Sequence, residues 1–298
     1  MFSTVPQLDC GGRSLSLDRP RIVGIVNVTP DSFSDGGQFE QVEAAVEHGL
    51  QLVADGADAL DVGGESTRPG ANDVDVKEEL RRVIPVIARL AELTAVPIWI
   101  DTSKPEVMRA AVAAGAGLIN DVFALRREGA LDAAAELGVP VCLMHMQGEP
   151  RGMQVDPNYD DVVAEVHRFF AERMFACEMS GISKQRLLID PGFGFGKTLQ
   201  HNLRLLAELG RFTGLGVPVL AGLSRKAMIG TLTGRALDDR AVGSAAAAMI
   251  AAQNGALLLR VHDVAATRDA LAVCEGVREL QRPLAAVAKA APRWPDDD

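Results

Sequence analysis

The sequence has few aromatic residues, since Phe, Trp and Tyr make up only 4% of its 298 residues. Val, Ile, Leu, Ala and Met must therefore fill the core, and this composition suits buried parallel strands packed against helices. No apolar run reaches the roughly 20 residues of a membrane span. No basic stretch followed by an apolar one marks a signal peptide. These absences predict a cytoplasmic protein with no membrane partner.

Cysteine is also scarce, and the four cysteines match no zinc or redox spacing. They are Cys10, Cys142, Cys177 and Cys274. We therefore expect no zinc site and no functional thiol. Positive charge is in deficit too, because the formal net charge is -10 at pH 7. This argues against nucleic acid as a partner, although a cleft can still hold a local basic pocket.

What the sequence does contain is a regular alternation of short apolar strands and amphipathic, alanine-rich helices. The predicted strands are Ile22–Val28, Ala59–Gly63, Pro97–Asp101, Leu118–Val122, Val139–His145, Leu187–Asp190, Val217–Ser224 and Ala256–His262. The predicted helices are Gln41–Asp55, Val76–Leu93, Pro105–Ala114, Leu131–Leu137, Tyr159–Met179, Leu199–Leu209, Arg240–Asn254 and Val264–Gln281. This alternation over 298 residues is typical of a single α/β domain, a (β/α)8 TIM barrel.

The two ends of the chain fall outside this alternation. Leu8–Leu17, with a turn at Cys10-Gly11-Gly12, predicts a β-hairpin that caps the barrel floor. We therefore expect residues 1–20 to be an N-terminal extension and residues 21–282 to be the barrel. Residues 283–298 are rich in Pro and Asp towards their end, which predicts a disordered tail.

Polar side chains lie at the ends of the predicted strands. They are Asn27, Asp101, Asn120, Asp121, His145, Asp190, Ser224, Arg225, Lys226, Arg260 and His262. The carboxyl ends of the strands form the active-site face of this fold. Arg260 and His262 share one face of their strand and can contact one ligand. Asp121 faces the opposite side from Asn120, which predicts a structural role.

Several of these side chains also have a structural interpretation. Asp101 and Asp190 can cap the helix that follows each strand, and Asn120 can bind only backbone. His145 fits the core as well as it fits a site.

Two loops after the first two strands are rich in Gly, Ser, Thr and Pro, as is typical of lids that close over a ligand. They span Asn27–Gly37 and Gly63–Ala71. Arg68 in the second loop is a candidate anion clamp. The segment Gly192–Lys197, GFGFGK, resembles a phosphate-binding loop only weakly, because it lacks the full P-loop pattern.

The polar strand ends match the edge of an aminopyrimidinone ring. Asp101, Asn120 and Asp190 offer hydrogen-bond acceptors and an amide, and Lys226 offers a fixed donor. Phe193 or Phe195 can cover a face of that ring.

A second group of residues suits an anion. Arg68, Arg260 and His262 offer cationic donors for a phosphate or diphosphate. Asn27 can hold a magnesium ion against it, because Mg²⁺ prefers oxygen ligands and keeps most of its waters. No convincing Ser–His–Asp set is present in the sequence. The residues therefore favour substrate positioning and leaving-group stabilisation over covalent catalysis.

Eight segments resemble motifs of bacterial dihydropteroate synthases, over a match that runs from about Ile22 to Leu280. They are NVTPDSFSDGG (Asn27–Gly37), GGESTRPGA (Gly63–Ala71), IDTSKPEV (Ile100–Val107), LIND (Leu118–Asp121), CLMHMQG (Cys142–Gly148), DPGFGFGK (Asp190–Lys197), SRK (Ser224–Lys226) and RVHD (Arg260–Asp263). Because many independent motifs occur in the family's order, the resemblance is specific.

The resemblance implies a transferase on a TIM barrel. Its reaction joins 6-hydroxymethyl-7,8-dihydropterin diphosphate to 4-aminobenzoate, giving 7,8-dihydropteroate and diphosphate for folate biosynthesis. It also implies Mg²⁺ dependence, a homodimer and inhibition by sulfonamides.

Carried over motif by motif, the site residues divide among three subsites. The pterin residues are Asp101, Asn120, Met144, Asp190, Phe195, Gly222 and Lys226. The diphosphate residues are Asn27, Arg68, Arg260 and His262, with Asn27 serving the magnesium. The aminobenzoate residues are Phe33, Thr67, Pro69, Ser224 and Lys226. We assign catalytic roles to Arg68, Asp101, Lys226, Arg260 and His262.

These roles predict a dissociative displacement. The diphosphate leaves first, and Asp101 is the chief residue that stabilises the pterin cation. The aminobenzoate carboxylate is expected near Ser224 at a helix N-terminus. Two alternatives share the pterin-binding residues: a methyltransferase domain, and a non-catalytic paralogue that binds pterin without turning it over. The presence of both lids and of Arg260 and His262 favours the synthase.

Overall fold

The predicted barrel is present in a computed structural model that describes residues 6–29, 38–66, 73–149 and 152–281. Its eight parallel strands are β3 (Arg21–Asn27), β4 (Ala59–Gly63), β5 (Ile98–Asp101), β6 (Leu118–Asp121), β7 (Val141–Met144), β8 (Leu187–Asp190), β9 (Leu220–Ala221) and β10 (Leu258–Val261). They are hydrogen bonded in the order β8-β7-β6-β5-β4-β3-β10-β9. A parallel bridge between Ile189 and Val219 joins the two outer strands. The sheet is therefore a nearly closed barrel, and the (β/α)8 prediction is confirmed.

Helices surround the sheet, as the alternation predicted. Within the described ranges they are α1 (Gln38–Ala54), α2 (Val76–Leu93), α3 (Pro105–Ala113), α4 (Ala130–Leu137), α5 (Val162–Met179), α6 (Leu199–Ala207), α7 (Gly210–Thr213), α8 (Ala227–Thr233), α9 (Ala241–Gln253) and α10 (Val264–Gln281). The predicted bounds of α2 and α10 agree with the structure. No helix in this part of the chain is long and apolar enough to cross a membrane.

The start of α5 shows how a capping side chain sets a helix boundary. The side chain of Asp161 accepts hydrogen bonds from the backbone amides of Val163 and Ala164, both at 3.0 Å. A capping residue has extended backbone and stands outside the helix. For this reason α5 begins at Val162 and not at Tyr159, where the apolar pattern begins.

The seventh strand of the barrel differs most from its prediction. The apolar pattern spans Val217–Ser224, but β9 covers only Leu220–Ala221. Pro218 has no amide hydrogen to donate to a neighbouring strand, and Ser224 binds His262 after the strand has ended. Helix α8 was not predicted either, because Gly and Thr in its short sequence AMIGTLT are poor helix formers.

The predicted hairpin is formed by β1 (Gln7–Cys10) and β2 (Arg13–Ser16), which pair antiparallel. Gly11 and Gly12 make its turn with φ values of 64° and 85°, a conformation that glycine adopts without strain. The apolar side chains of the hairpin pack into the amino-terminal end of the barrel. They are Leu8, Cys10, Leu15 and Leu17. The hairpin therefore closes the barrel floor, as predicted.

One residue from each barrel strand contacts this hairpin cluster, and together these residues form what we term the floor layer. It comprises Val23, Ala59, Trp99, Leu118, Cys142, Leu188, Leu220 and Leu258. Neighbours such as Ile98 and Ile100 lie in the separate core between sheet and helices. Because side chains alternate along a strand, the residue two positions after each floor-layer residue also faces the barrel interior, nearer the carboxyl ends.

We expect Gly117→Ala to destabilise the barrel floor. A Cβ atom at Gly117 would overlap the carbonyl group of Cys10, so the hairpin would have to move away from the floor layer. Overpacking of this kind lowers the free energy of unfolding by about 1–3 kcal/mol. Urea denaturation of the two proteins measures the difference.

Gly276→Ala on α10 is the matched control, because nothing lies within 4 Å of a Cβ built there and the residue is exposed. Alanine is favoured over glycine inside a helix, so this variant should be at least as stable as the wild type. Unchanged stability in Gly117→Ala would contradict the close approach of the hairpin.

Candidate active site

The interior residues that follow the floor layer form a second layer, which is largely polar and which we term the upper layer. It comprises Ile25, Asp61, Asp101, Asn120, Met144, Asp190, Gly222 and Arg260. These residues lie at or near the carboxyl ends of their strands, where this fold places active sites. The layer contains most of the residues that the sequence analysis assigned to a pterin.

Arg260 lies between two carboxylates of the upper layer. Its Nε donates to Asp61 Oδ2 at 2.5 Å, and its Nη2 donates to Asp101 Oδ2 at 2.7 Å. Asn120 Nδ2 donates to the same Asp61 oxygen at 3.0 Å. These bonds join β4, β5, β6 and β10 in one network at the barrel mouth.

The electrostatics of this network are dominated by burial. Burial raises the pKa of Asp101 to about 7, against the opposing charge of Arg260. The negative charges of Asp61, Glu79 and Asp121 raise this pKa further. Asp101 therefore loses its charge at a higher pH than an ordinary aspartate does.

Asp190 lies in the upper layer on β8. Burial raises its pKa, while a hydrogen bond from the Gly192 amide at 2.8 Å and the charge of Lys226 lower it. A Cβ atom at Gly222 would lie 3.6 Å from Asp190 Oδ2. A larger side chain at that position would enter the space beside the carboxylate, so Gly222 keeps this side of the mouth open.

An apolar surface lies beside the polar layer. It consists of Val122, Met144, Met146, Met153 and Phe195, with Phe123 packed against them. The Lys226 ammonium lies 4.1 Å from the centroid of the Phe195 ring, a cation–π contact. Of the two phenylalanines that the sequence offered, Phe195 is therefore at the mouth, whereas Phe193 is buried in the core between sheet and helices.

His262 is paired with Ser224 beyond the upper layer. Ser224 Oγ accepts a hydrogen bond from the His262 backbone amide at 3.1 Å and lies 3.0 Å from the ring Nδ1. The hydroxyl hydrogen can therefore donate to Nδ1, which leaves Nε2–H as the ring donor. Burial lowers the pKa of His262 to about 3, and the charges of Arg260 and Arg225 lower it further. His262 is thus a neutral donor at neutral pH and not the cation predicted.

Ser224 does not occupy the predicted position at a helix N-terminus. The helix that follows, α8, begins at Ala227, and Lys226 is its capping residue. Ser224 is buried and its hydroxyl is used by His262. Its direct contribution is thus to orient the imidazole.

Arg225 joins the ends of two strands and was not assigned a role by the sequence analysis. Its Nε and Nη2 donate to the two oxygens of Asp263 at 3.0 and 2.6 Å. Its backbone has a φ of 56°, which is unusual for a residue with a side chain, and its amide donates to Ser244 Oγ at 2.9 Å. The ion pair between Arg225 and Asp263 holds the two strand ends together, and with them Lys226 and Arg260. Because the paired residues are 38 positions apart, the sequence alone does not reveal the contact.

The segment GFGFGK is not a phosphate-binding loop. Lys197 Nζ is turned inwards, where it donates to the carbonyl oxygens of Gly192 at 3.0 Å and Phe195 at 2.9 Å. It also lies 2.9 Å from His145 Nδ1. Burial lowers the pKa of Lys197 to about 7, and burial lowers the pKa of His145 to about 2. Both side chains support the loop that carries Phe195, and the core interpretation of His145 is the one the structure favours.

Asp121 has the structural role that its position predicted. It is fully buried, and its two oxygens accept hydrogen bonds from Ser103 Oγ at 2.5 Å and from the amides of Phe123 and Leu125 at 2.8 and 2.7 Å. Leu125 has a φ of 57°. Asp121 therefore holds a strained loop next to the apolar surface of the mouth.

Several predicted site residues cannot be placed. Phe33, Thr67, Arg68 and Pro69 lie outside the described residues. Asn27 is the last residue of β3, beside Gly63 of β4. Its side chain is half-buried, and it forms no hydrogen bond within the described part of the chain.

Two groups of site residues were missed altogether. Asp61 is an acid in the middle of an apolar strand, and the alternation from Ala59 could have identified it. At the base of the second loop, Lys104 Nζ donates to Glu65 Oε2 at 2.8 Å and also to Glu79. Glu65 Oε1 accepts from the Val74 amide at 2.8 Å. Glu65 thus ties the start of this loop to its far end.

Comparison with known proteins agrees with this geometry. A family model described as pterin binding enzyme matches residues 23–262, which is nearly the whole barrel. The dihydropteroate synthase of Escherichia coli strain K12 is 54% identical over 264 residues, which is 89% of this chain and 94% of that protein.

Solved structures agree as well. One of Xanthomonas albilineans dihydropteroate synthase with 4-aminobenzoic acid is 68% identical with a TM-score of 0.88, covering 92% of this chain and 99% of the other. Another, of the Yersinia pestis enzyme in a complex with a sulfonamide drug, is 48% identical with a TM-score of 0.88 and the same coverage. The chain belongs to the dihydropteroate synthase family.

The neighbours Asn120 and Asp121 should separate binding from stability. Asp121→Ala leaves buried partners unsatisfied, each at about 1–3 kcal/mol, so the free energy of unfolding should fall sharply. Asn120→Ala removes one hydrogen bond and should lower it less, while weakening the binding of 6-hydroxymethylpterin. Urea denaturation and calorimetric titration measure the two effects. A larger stability loss in Asn120→Ala than in Asp121→Ala would contradict the assignment.

Proposed function

We propose that this barrel condenses 6-hydroxymethyl-7,8-dihydropterin diphosphate with 4-aminobenzoate, releasing diphosphate and forming 7,8-dihydropteroate. The observation that carries the proposal is the Asp61–Arg260–Asp101 network. In this network, carboxylates that can stabilise a cationic ring lie next to a guanidinium that can bind an anion. The E. coli relative is named dihydropteroate synthase.

The pterin ring is assigned to the upper layer. Asp101 and Asp190 would accept hydrogen bonds from its N–H and amino groups, and Lys226 would donate to a ring acceptor. Met144 and Phe195 would pack against its faces, since both belong to the apolar surface of the mouth.

The diphosphate is assigned to the space above Arg260. Arg260 Nη1 makes no hydrogen bond within the described part of the chain and can donate to a phosphate oxygen together with His262 Nε2. Arg68 would complete the basic side from the second loop.

Magnesium fits this site with one protein ligand. The described residues contain no group of three or more His, Cys, Asp and Glu that could hold a metal, so the ion would rely on phosphate oxygens and water. The side chain of Asn27, which makes no hydrogen bond to another described residue, offers the oxygen that Mg²⁺ prefers. When bound, the ion would neutralise charge on the diphosphate.

The chemical step follows from these positions. The C–O bond of the hydroxymethyl carbon breaks and its electron pair leaves with the diphosphate, where Arg260 stabilises the charge. Ionised Asp101 stabilises the resulting pterin cation. The amine nitrogen of 4-aminobenzoate then forms the C–N bond, and its surplus proton passes to water.

The aminobenzoate site is assigned to Phe33, Thr67, Pro69, Ser224 and Lys226. Because Ser224 is committed to His262, we expect Lys226 to make the stronger contact in this group. Ser224 would act there chiefly through the imidazole that it orients.

The homodimer is a proposal supported by one face of the barrel. The small side chains of α9, such as Ala248 and Ala251, are buried against the barrel. Its outer residues Val242 and Ile250 are exposed, as are Val273 and Val277 on the adjoining α10. Exposed apolar residues on two packed helices suit burial against a second copy. The absence of a nucleic-acid partner and the cytoplasmic location stay predictions from the sequence.

Diphosphate release tests the proposed function. Purified protein with the pterin diphosphate and magnesium should release diphosphate and form dihydropteroate only when 4-aminobenzoate is present. Tight binding of the pterin diphosphate without product would favour the non-catalytic paralogue. Activity with a methyl-folate and no diphosphate release would favour the methyltransferase.

In the same assay, Arg260→Ala should lower kcat/KM by about 10²-fold or more, as loss of a preorganised charge donor does. Arg168→Ala, which removes an exposed arginine on α5, is the control and should keep wild-type activity. Near-normal kcat/KM in Arg260→Ala would remove Arg260 from the mechanism.

Pterin binding should depend on pH through Asp101. A carboxyl with a pKa raised to about 7 loses its charge as the pH falls through that value, so the affinity for 6-hydroxymethylpterin should decline from about pH 8 to about pH 5. Hydroxymethylpterin is used because it carries no diphosphate, so protonation of a phosphate cannot contribute to the change in affinity. Constant affinity over this range would show that ionised Asp101 is not the acceptor.

A further inference from the structure

Asp61 is the residue on which two others of the upper layer converge. It lies on β4, and its side chain is fully buried. Its Oδ2 accepts from both Arg260 Nε and Asn120 Nδ2. Its Oδ1 is buried and has no partner within the described part of the chain. We infer that Asp61 is a positioning residue, which fixes the Asn120 amide and the Arg260 guanidinium for a ligand. The inference rests on the proposed function.

The first consequence concerns which end of the Asn120 amide faces the ligand. An ionised carboxylate can only accept hydrogen bonds, so the Asn120 nitrogen must turn towards Asp61. The amide oxygen then points away from Asp61 and is left for a ligand. Asn120 is thereby fixed as an acceptor, which selects a ring edge that carries an N–H or amino group.

The second consequence concerns Arg260. Asp61 holds Nε, which lies on the inner edge of the guanidinium, and Asp101 holds Nη2. When a ring donor takes over the Asp101 carboxylate, Nη2 can move to the ligand while Nε keeps its bond to Asp61. Asp61 is therefore the permanent partner of Arg260, and Asp101 is the partner that is exchanged.

A purely structural role does not explain why a buried acid is present at Asp61. The same layer contains Ile25 on the neighbouring strand, so an apolar residue can fill a position of this kind. A buried charge with an unpaired oxygen is unfavourable for folding compared with a well-packed apolar residue. An acid at this place is explained by what it orients.

Asp61→Asn in the full-length protein tests this inference. The variant keeps the size of the side chain but removes the charge and half of the acceptors. We expect kcat/KM for the pterin diphosphate to fall about 10- to 100-fold, as misplacement of binding groups does. The affinity for 6-hydroxymethylpterin should fall with it. The KM for 4-aminobenzoate should stay unchanged, because Ser224 and Lys226, the two assigned residues in the described part of the chain, contact His262 and Phe195.

A double-mutant cycle shows whether Asp61 acts through Asn120. In the Asn120→Ala background, Asp61→Asn should add little to the loss of hydroxymethylpterin affinity, since coupled residues are not additive. Fully additive losses would overturn the proposed route through the amide.

Asp58→Asn is the matched control. Asp58 precedes β4 at the barrel floor, and its carboxylate accepts from Arg19, from Arg21 and from the Ile22 amide, each at 2.9 Å. Its loss should lower stability without changing pterin affinity.

Three outcomes decide the matter. Wild-type kinetics in Asp61→Asn would overturn the inference. So would a uniform loss that includes 4-aminobenzoate and follows the melting temperature, since that is the behaviour of a structural residue. If the wild type binds hydroxymethylpterin but does not turn over, the proposed function fails, while the binding data still test Asp61.

Discussion

The barrel mouth depends on the guanidinium of Arg260, which lies between the carboxylates of Asp61 and Asp101. Two acids buried this close together would repel each other without a cation between them. A cation buried alone would be equally unfavourable. The three groups are therefore stable in the barrel interior only as a set, and the polar upper layer exists because they are present together.

The alternation of side chains is what brings this set together. The floor layer is apolar and is covered by the hairpin, so the barrel interior is apolar at its amino-terminal end. Two residues further along each strand, the interior becomes polar without disturbing that core. The same rule separates Asn120, which faces the mouth, from Asp121, which holds the loop behind it. Stability and ligand binding thus occupy different levels of the same strands.

Much of the fold and site could be predicted from the sequence, because strands and helices alternate along it and most strands end in a polar residue. Apolar strands ending in Asp101, Asn120 and Asp190 indicate both the sheet and its active edge. Contacts between segments far apart in the chain could not be predicted, because no repeating pattern in the sequence relates such residues to each other. The hydrogen bond between Ser224 and His262 takes up the serine hydroxyl and orients the imidazole. Burial removes the charge that was expected on His262. The inward Lys197 is likewise set by the carbonyl groups around it and not by its motif.

The layout of charges also fits the direction of the proposed reaction. Departure of diphosphate leaves positive charge on the ring and carries negative charge away from it. In the upper layer the carboxylates of Asp101 and Asp190 would face the ring, while Arg260 would face the leaving group. These charges are fixed by strands and by Asp61 before any bond breaks, so little reorganisation is needed as charge separates. Because Arg260 is bonded to Asp101, a ring bound at Asp101 would have to displace part of that ion pair. In the proposed reaction, binding of the pterin would therefore turn the guanidinium towards the diphosphate, and the same exchange that accommodates the ring would prepare the site for the leaving group.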